Sequence, residues 1–328
     1  MLIPVLLFAL GLVLLIKGGD WFVDGATGIA ERFHVPEIII GATVVSIGTT
    51  LPEVMVSATS ALTGHGEIAY GNAIGSIICN TALIAAITVA VRPGPVDTKA
   101  LKTPVLFFFG SAAIYVVNTY VTGYFGRPLG ILLLAIFVVY LVVTVRQGFR
   151  NPVEAAAEEE ETKEIEEKAT KNTMGKDILL LVVGAALVAV GADLLVDNGT
   201  LIAQALGVPE SVIALTFVAL GTSLPELVTA ITSLAKGHGA LSLGNVIGAN
   251  LFNLVLVSGM SMTLAPFYIP ESSTLFGVNA SLVLDIPLML FVMAFLTLPA
   301  LKTRMLSRYQ GIVLLILYAA FCGIQFTM

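Results

Sequence analysis

The sequence predicts an all-α integral membrane protein with ten transmembrane helices, built as two inverted five-helix repeats in which helices 2, 3, 7 and 8 are broken. Composition is the first reason, because 57% of the 328 residues are hydrophobic and only 12% are charged, whereas soluble domains carry about 25% charged residues. The second is the length of the apolar runs, which suits helices of about 20 residues rather than the ~10-residue alternating strands of a barrel. The third is an internal duplication.

Ten apolar runs are long enough to cross a bilayer. In chain order they cover residues 2–24, 36–62, 68–91, 103–121, 126–145, 177–202, 209–234, 241–265, 277–298 and 307–327. The first run has no basic segment before it and no small-residue cleavage site after it, so we expect a span rather than a signal peptide. Both cysteines, Cys79 and Cys322, fall within spans, which predicts no disulfide framework.

The duplication relates residues 18–80 to residues 191–253 without a gap, and 28 of the 63 positions are identical. Both copies carry V-P-E, G-T-x-L-P-E, G-H-G and G-N-x-I-G. Because each copy belongs to a unit of five spans, an odd number, the second unit enters the membrane from the opposite side. This arrangement is typical of secondary transporters. It predicts a first repeat over residues 1–146, an acidic linker over 147–176 and an inverted second repeat over 177–328.

The positive charges predict the orientation. With the N-terminus outside, 14 of the 16 Lys and Arg residues fall on the cytoplasmic side and only Arg127 falls outside, as the positive-inside rule requires. We therefore expect both termini outside, a cytoplasmic linker and a location in the cell inner (plasma) membrane. Much of the net charge of −6 lies in the linker, where residues 151–176 hold eight Glu and four Lys. The lipid bilayer is thus an expected partner, and nucleic acid is not.

The chemistry concentrates in a hexapeptide that occurs once in each copy, G-T-T-L-P-E at 48–53 and G-T-S-L-P-E at 221–226. Proline has no N–H, so the carbonyl four residues earlier loses its helical partner. Freed carbonyls, hydroxyls and a carboxylate form an all-oxygen ligand set, which suits a hard cation such as calcium or sodium. A carboxylate at bilayer depth costs ~2.5–3.5 kcal/mol, and a bound cation offsets that cost. The candidate ligands here are Thr49, Thr50, Glu53, Thr222, Ser223 and Glu226.

A second pair of motifs supplies further oxygen atoms. G-N-A-I-G-S-I-I-C-N places Ser76 and Asn80 one helical turn apart, on about one face. The copy G-N-V-I-G-A-N-L-F-N offers Asn250 and Asn253, but it has Ala249 in place of the serine. Asn80 and Asn253 are equivalent in the repeat, and the amide oxygen of each can bind a cation.

At these motifs the chain resembles the cation/calcium antiporter superfamily, and within it the prokaryotic sodium/calcium exchangers. The resemblance covers both halves and implies a transporter rather than an enzyme, with alternating access, calcium and sodium as the transported ions, and no cofactor. By motif position, Glu53 and Glu226 are implied to be the central ligands of both ions, which bind mid-membrane between them. The other implied ligands are carbonyls and hydroxyls of Thr49 and Thr222, hydroxyls of Thr50 and Ser223, backbone carbonyls of Ser46 and Ala219 for the flanking sodium sites, and the side chains of Ser76, Asn80 and Asn253.

The chain departs from the pattern of this family at three positions. Thr50 replaces the usual serine, Ala249 replaces a serine ligand of some relatives, and Asn253 replaces an acid of some archaeal relatives. These departures bear on sodium stoichiometry more than on calcium binding. One alternative keeps the fold and makes the antiporter proton-coupled or potassium-dependent. The other is an intramembrane aspartyl protease built on Asp20 and Asp193, which match across the repeat.

Overall fold

The computed structural model describes residues 2–150, 174–205, 221–271, 274–275 and 277–327, and this part of the chain is almost entirely helical. The α-helices are α1 (Leu2–Phe33), α2 (Glu37–Ile40), α3 (Ser46–Leu62), α4 (Gly66–Cys79), α5 (Ala86–Val91), α6 (Thr98–Thr122), α7 (Arg127–Arg150), α8 (Met174–Ala205), α9 (Leu224–Ala235), α10 (Gly239–Phe252), α11 (Ser258–Leu264), α12 (Ile286–Thr303) and α13 (Arg308–Thr327). The described residues also form four π-helical turns, π1 (Gly41–Val45), π2 (Asn80–Ala85), π3 (Asn253–Val257) and π4 (Ser281–Asp285). The two-residue strands in the described ranges are β1 (Gly94–Pro95), β2 (Tyr124–Phe125), β3 (Phe267–Tyr268), β4 (Thr274–Leu275), β5 (Val278–Asn279) and β6 (Met305–Leu306).

These helices confirm the predicted all-α membrane fold. Within the described ranges, nine continuous helical segments are long and apolar enough to cross a membrane, and the shorter apolar helix α9 lies in the predicted seventh span. The predicted run 209–234 overlaps residues 206–220, which are outside the described residues. The protein is therefore a multi-pass membrane protein.

The chain forms two compact units. The first contains Met1–Thr49 and Val142–Asn245, and the second contains Thr50–Leu141 and Val246–Met328. Each unit therefore contains helices from both copies of the duplicated sequence. The predicted division into repeats and a linker stays a prediction, and most of the linker, residues 151–173, lies outside the described residues.

Helices α1 and α8 of the first unit pack against each other along their glycines. A Cβ atom added to Gly18 would lie 2.8 Å from the backbone nitrogen of Val188, and one added to Gly11 would lie 2.9 Å from the carbonyl oxygen of Gly191. The partners of α1 run backwards along α8, so the two helices are antiparallel. Because α1 and α8 occupy the same position in the two copies, their antiparallel packing demonstrates that the repeat is inverted.

Polar contacts join the helix ends at one end of the first unit. The ion pairs are Arg32–Asp177 at 2.9 Å and Lys236–Asp24 at 2.7 Å, and His238 lies 2.6 Å from the Glu37 carboxylate. Glu37 begins the second span and His238 precedes the eighth. Their contact requires an even number of membrane crossings between them, and the six spans predicted there meet that requirement.

The second unit contains the repeat-equivalent turns π2 and π3. They begin at Asn80 and Asn253, which occupy equivalent positions in the duplication. Spans 2, 3 and 8 are thus interrupted by π-helical turns, which add one residue to a helical turn and occur frequently at functional sites. Short antiparallel strands also pair β1 with β6 and β2 with β3, and each pair joins two loops predicted on the same side of the membrane.

The predicted break at Pro52 takes a different form. Pro52 lies inside the continuous helix α3, and the interruption of this span is the turn π1, which ends at Val45. The proline still removes the helical partner of the Gly48 carbonyl. A π-helical turn upstream lets the span deviate from regular α-helix without ending at the proline.

The glycine packing of α1 against α8 predicts that Gly18→Ala destabilises the protein by about 1–3 kcal/mol, because the added methyl group meets backbone atoms of α8. Gly110→Ala is the matched control. Gly110 is also helical, but a Cβ atom there meets nothing within 4 Å. Thermal unfolding of both purified variants in detergent measures the difference, and equal unfolding temperatures would contradict the packing argument.

The His238–Glu37 contact predicts a pH-dependent stability. The hydrogen bond to the Glu37 carboxylate raises the pKa of His238 above its usual 6.5. A raised pKa in the folded state means that the stabilisation is complete below pH 6.5 and is lost as pH rises through the folded-state pKa. As the pH rises through the folded-state pKa of His238, we expect the unfolding temperature of the wild type to fall by about 2 °C relative to that of His238→Gln. The control is His65→Gln, in the equivalent turn, which should keep the wild-type pH profile.

Candidate cation-binding site

The predicted ligands divide between the two compact units. The first unit contains Ser46, Thr49, Thr222, Ser223 and Glu226, and the second contains Thr50, Glu53, Ser76, Asn80 and Asn253. Ala219 also lies within the range of the first unit, but it is outside the described residues.

In the second unit, Glu53 lies on α3 with none of its surface exposed, and Thr50 is equally buried one turn earlier. Asn72 of α4 contacts this part of α3. Its amide nitrogen donates to the backbone carbonyl of Glu53 at 3.2 Å and to the hydroxyl of Ser57 at 2.8 Å. The backbone that carries the glutamate is therefore tied to the neighbouring helix.

Asn80 and Asn253 are the most informative polar residues of this unit. Both are fully buried, and among the described residues neither their amide oxygens nor their amide nitrogens have a hydrogen-bond partner. Leaving such a group unsatisfied costs about 1–3 kcal/mol. Ser76 is also buried, one turn before Asn80. Two equivalent asparagines with available amide oxygens fit the ligand chemistry of calcium and sodium.

Asn250 offers a further oxygen that the predicted ligand set does not include. Its amide nitrogen donates to Thr81 Oγ1 at 2.7 Å and lies 3.1 Å from Met293 Sδ. Its amide oxygen has no partner in the described part of the chain. The signal in the sequence was the spacing of Asn250 and Asn253, which places them near each other on α10 and π3.

In the first unit, the second hexapeptide surrounds the start of α9. Ser223 precedes the helix with φ −91° and ψ 4°, and its hydroxyl forms no capping bond. No partner of this buried hydroxyl occurs among the described residues. Glu226 is fully buried in the first turn, where the helix dipole favours a carboxylate. Pro225 also lies in this turn, where its missing N–H costs nothing.

The first hexapeptide and the residues before it are held by α10. The hydroxyl of Ser46 lies 2.7 Å from the carbonyl oxygen of Gly41 and 2.9 Å from that of Asn245. The hydroxyl of Thr49 donates to the amide oxygen of Asn245 at 3.2 Å. The proton of the Ser46 hydroxyl therefore points to a backbone oxygen, that of Gly41 or that of Asn245.

Two asparagines that contact the predicted ligands, Asn72 and Asn245, are absent from the predicted set. They are equivalent in the repeat. The sequence feature that could have identified them is the Gly-Asn pair present in both copies. The spacing alone, however, did not indicate which helix each asparagine side chain contacts.

One aspartate of the protease alternative, Asp20, has other partners. Lys236 Nζ lies 3.6 Å from the Asp20 carboxylate and 2.7 Å from that of Asp24, and it donates to the backbone carbonyl of Asp20 at 2.9 Å. Lys17 lies 4.0 Å from Asp20. Asp20 and Asp24 thus join α1 to the end of α9, and this structural role disfavours a catalytic one for Asp20.

Comparison with known proteins gives one consistent family. The family described as sodium/calcium exchanger protein matches residues 3–146 and 176–327. The chain is 35% identical to an uncharacterised membrane protein of Methanocaldococcus jannaschii, over 95% of this chain and 94% of that protein. It is 30% identical to the sodium/calcium exchanger MaX1 of Methanosarcina acetivorans, over 98% of both. A solved structure of the sodium-calcium exchanger NCX_Mj, soaked with Na+ and Sr2+, superposes with a TM-score of 0.80 at 33% identity and covers 97% of both chains.

The buried amide of Asn253 predicts an unusual combination of effects. Asn253→Leu replaces a group without a partner among the described residues, so we expect stability in sodium-free, chelator-containing buffer to be unchanged or to rise by about 1–3 kcal/mol. The stabilisation that added calcium gives the wild type should decrease. Thermal unfolding with and without calcium measures both effects.

The matched control is Asn118→Leu. Asn118 donates to the carbonyl of Tyr124 at 2.8 Å, so its loss should lower stability and leave the calcium effect intact. A wild-type calcium response in Asn253→Leu would remove Asn253 from the ligand set.

Proposed function

Because the chain belongs to the sodium/calcium exchanger protein family, we propose that it is a secondary antiporter that exchanges calcium for sodium across its membrane. The observation that carries this proposal is the duplicated Pro-Glu hexapeptide, whose glutamates, Glu53 and Glu226, are both completely buried. Intramembrane carboxylates are costly, and they usually mark an ion pathway. The transporter family and the solved relative soaked with Na+ and Sr2+ support the same conclusion.

The proposed ligands are those of the predicted set. The carboxylates of Glu53 and Glu226 bind both calcium and sodium, and oxygens of hydroxyls, amides and backbone carbonyls complete the coordination. The buried amides of Asn80 and Asn253, which have no hydrogen-bond partner among the described residues, support this assignment, and so does the Ser223 hydroxyl that caps no helix. Calcium takes six to eight oxygen ligands in flexible geometry, a number that the proposed set can supply.

The proposed mechanism is alternating access. In an inverted repeat, the two halves of the protein can adopt the same conformations, but with opposite orientation in the membrane. Calcium and sodium compete for the same carboxylates, so the site binds either calcium or sodium at one time. Release of one kind of ion on one side of the membrane then permits the other kind to bind there, and this exchange couples the two ion gradients.

The proposed orientation has both termini outside and the acidic linker in the cytoplasm of a cell with this protein in its inner (plasma) membrane. Its support is the distribution of Lys and Arg residues along the sequence. The contacts between helix ends in the first unit agree with it, because Arg32, Glu37, Asp177 and Lys236 all belong to predicted cytoplasmic ends.

Calcium uptake into proteoliposomes tests the function. Vesicles loaded with sodium and diluted into sodium-free buffer with a protonophore should take up calcium, and uptake should stop when choline replaces internal sodium. Uptake that requires a pH gradient instead would indicate a proton-coupled antiporter, and uptake that requires potassium would indicate a potassium-dependent one. Failure to take up calcium under any of these gradients would overturn the proposal.

Glutamine variants test the site. Glu53→Gln and Glu226→Gln keep the side-chain shape and remove the charge, so each should reduce uptake to the level of protein-free vesicles. Glu67→Gln is the control, because Glu67 is an exposed glutamate at the start of α4 and should keep wild-type uptake. Sodium-dependent uptake by both buried-glutamate variants would overturn the site assignment.

A further inference from the structure

We propose that Asn245 is a positioning residue that sets the sodium affinity of the exchanger by holding Ser46 and Thr49 in place. This inference rests on the proposed function and on the sodium role proposed for the Ser46 carbonyl. Asn245 contacts neither the calcium nor the sodium in this proposal. It acts through two hydroxyl groups on the helix that carries the ligands.

The contacts of Asn245 are specific and fully buried. Its backbone carbonyl oxygen lies 2.9 Å from the Ser46 hydroxyl, and its amide oxygen lies 3.3 Å from the same hydroxyl and 3.2 Å from the Thr49 hydroxyl. None of the three residues has more than 2% of its surface exposed. Water does not compete for these buried hydrogen bonds, so losing the amide oxygen would leave the Thr49 hydroxyl with only the more distant carbonyl of Ser46, at 3.5 Å.

A close helix crossing fixes Asn245 relative to the start of the second span. A Cβ atom on Gly41 would lie 2.5 Å from the carbonyl oxygen of Leu241 and 2.9 Å from the backbone nitrogen of Asn245. A Cβ atom on Gly244 would collide with the carbonyl of Ile38. Backbone therefore contacts backbone one residue before Asn245, so the asparagine is part of a rigid support.

The turn π1 explains why this support is needed. Ser46 follows the turn, and both its N–H and its hydroxyl reach the carbonyl of Gly41, five residues earlier. A π-helical turn is less regular than an α-helix, so the direction of the Ser46 carbonyl depends on contacts outside the helix. Asn245 provides these contacts at two successive turns, Ser46 and Thr49.

The equivalent asparagine, Asn72, provides a natural comparison. It holds the backbone carbonyl of Glu53 and the hydroxyl of Ser57 rather than the start of the span. Glu53 is the proposed ligand of both ions, whereas the Ser46 carbonyl is proposed for sodium alone. Loss of Asn72 should therefore weaken the binding of both ions. Loss of Asn245, which holds Thr49 as well as Ser46, should weaken the binding of sodium more than that of calcium.

The experiment measures the half-saturating concentrations of sodium and calcium in proteoliposome exchange. Asn245→Ala should raise the sodium value about 5-fold, the effect of one lost hydrogen bond, and change the calcium value less than about 2-fold. Asn72→Ala should raise both values. Equal shifts of both ions in Asn245→Ala, or an unchanged sodium value, would overturn the inference.

Ser46→Ala tests the same contact from its other side and does not depend on the folding of Asn245→Ala. The second copy has Ala219 at this position, so alanine suits the motif. Ser46→Ala should raise the sodium value in the same direction, because it removes both hydrogen bonds of the Ser46 hydroxyl to Asn245, whereas Asn245→Ala removes only the bonds of the amide oxygen. A wild-type sodium value in Ser46→Ala would overturn the inference.

The same vesicles separate this inference from the proposed function. Wild-type protein without sodium-dependent calcium uptake would overturn the proposed exchange, and the inference with it. Wild-type exchange combined with unchanged sodium dependence in Asn245→Ala would overturn the inference alone.

Discussion

The burial of two carboxylates inside apolar helices is the constraint on which the rest of the structure depends. Glu53 and Glu226 are fully buried, and an ionised carboxylate away from water needs an opposite charge or several hydrogen-bond donors. The residues near them in sequence are hydroxyls and amides, although apolar side chains would fill the same space more favourably. The polar positions are better explained by ion binding than by packing, because they recur in both copies at the same spacing.

One hexapeptide adopts two conformations within this chain. In the first copy, Pro52 lies inside the continuous helix α3, and in the second, Pro225 lies in the first turn of α9 after the non-helical Ser223. The sequences differ only at Thr50 and Ser223, so local preference cannot explain the difference. Tertiary contacts must therefore select the conformation of each copy. Alternating access requires elements with two discrete arrangements that bound ions can select, and a sequence that tertiary contacts can hold in two conformations suits such an element.

The sequence predicted the features that depend on periodicity and on exact repetition. Long apolar runs predicted the spans, and the 173-residue shift that relates Gly18 to Gly191 predicted the inversion that the antiparallel α1 and α8 confirm. The π-helical turns and the contacts of Asn245 were not predictable in this way. A π-helical turn adds one residue to a helix because of tertiary contacts, such as those of the Ser46 hydroxyl, and no local pattern specifies it. Proline predicts a lost hydrogen bond, but surrounding helices decide whether the helix ends there.

Charge balance limits the loads that the proposed ligands can carry. The set contains two acids, Glu53 and Glu226, and its other members are neutral, including Asn253 where some archaeal relatives have an acid. With both glutamates ionised, one calcium ion or two sodium ions give a neutral loaded site, whereas three sodium ions leave one positive charge. Moving that charge is worth ~2.3 kcal/mol per 100 mV of membrane potential. The neutral Asn253 therefore makes a three-sodium step depend on membrane potential and leaves the calcium step nearly independent of it, so the voltage dependence of exchange reports the sodium stoichiometry directly.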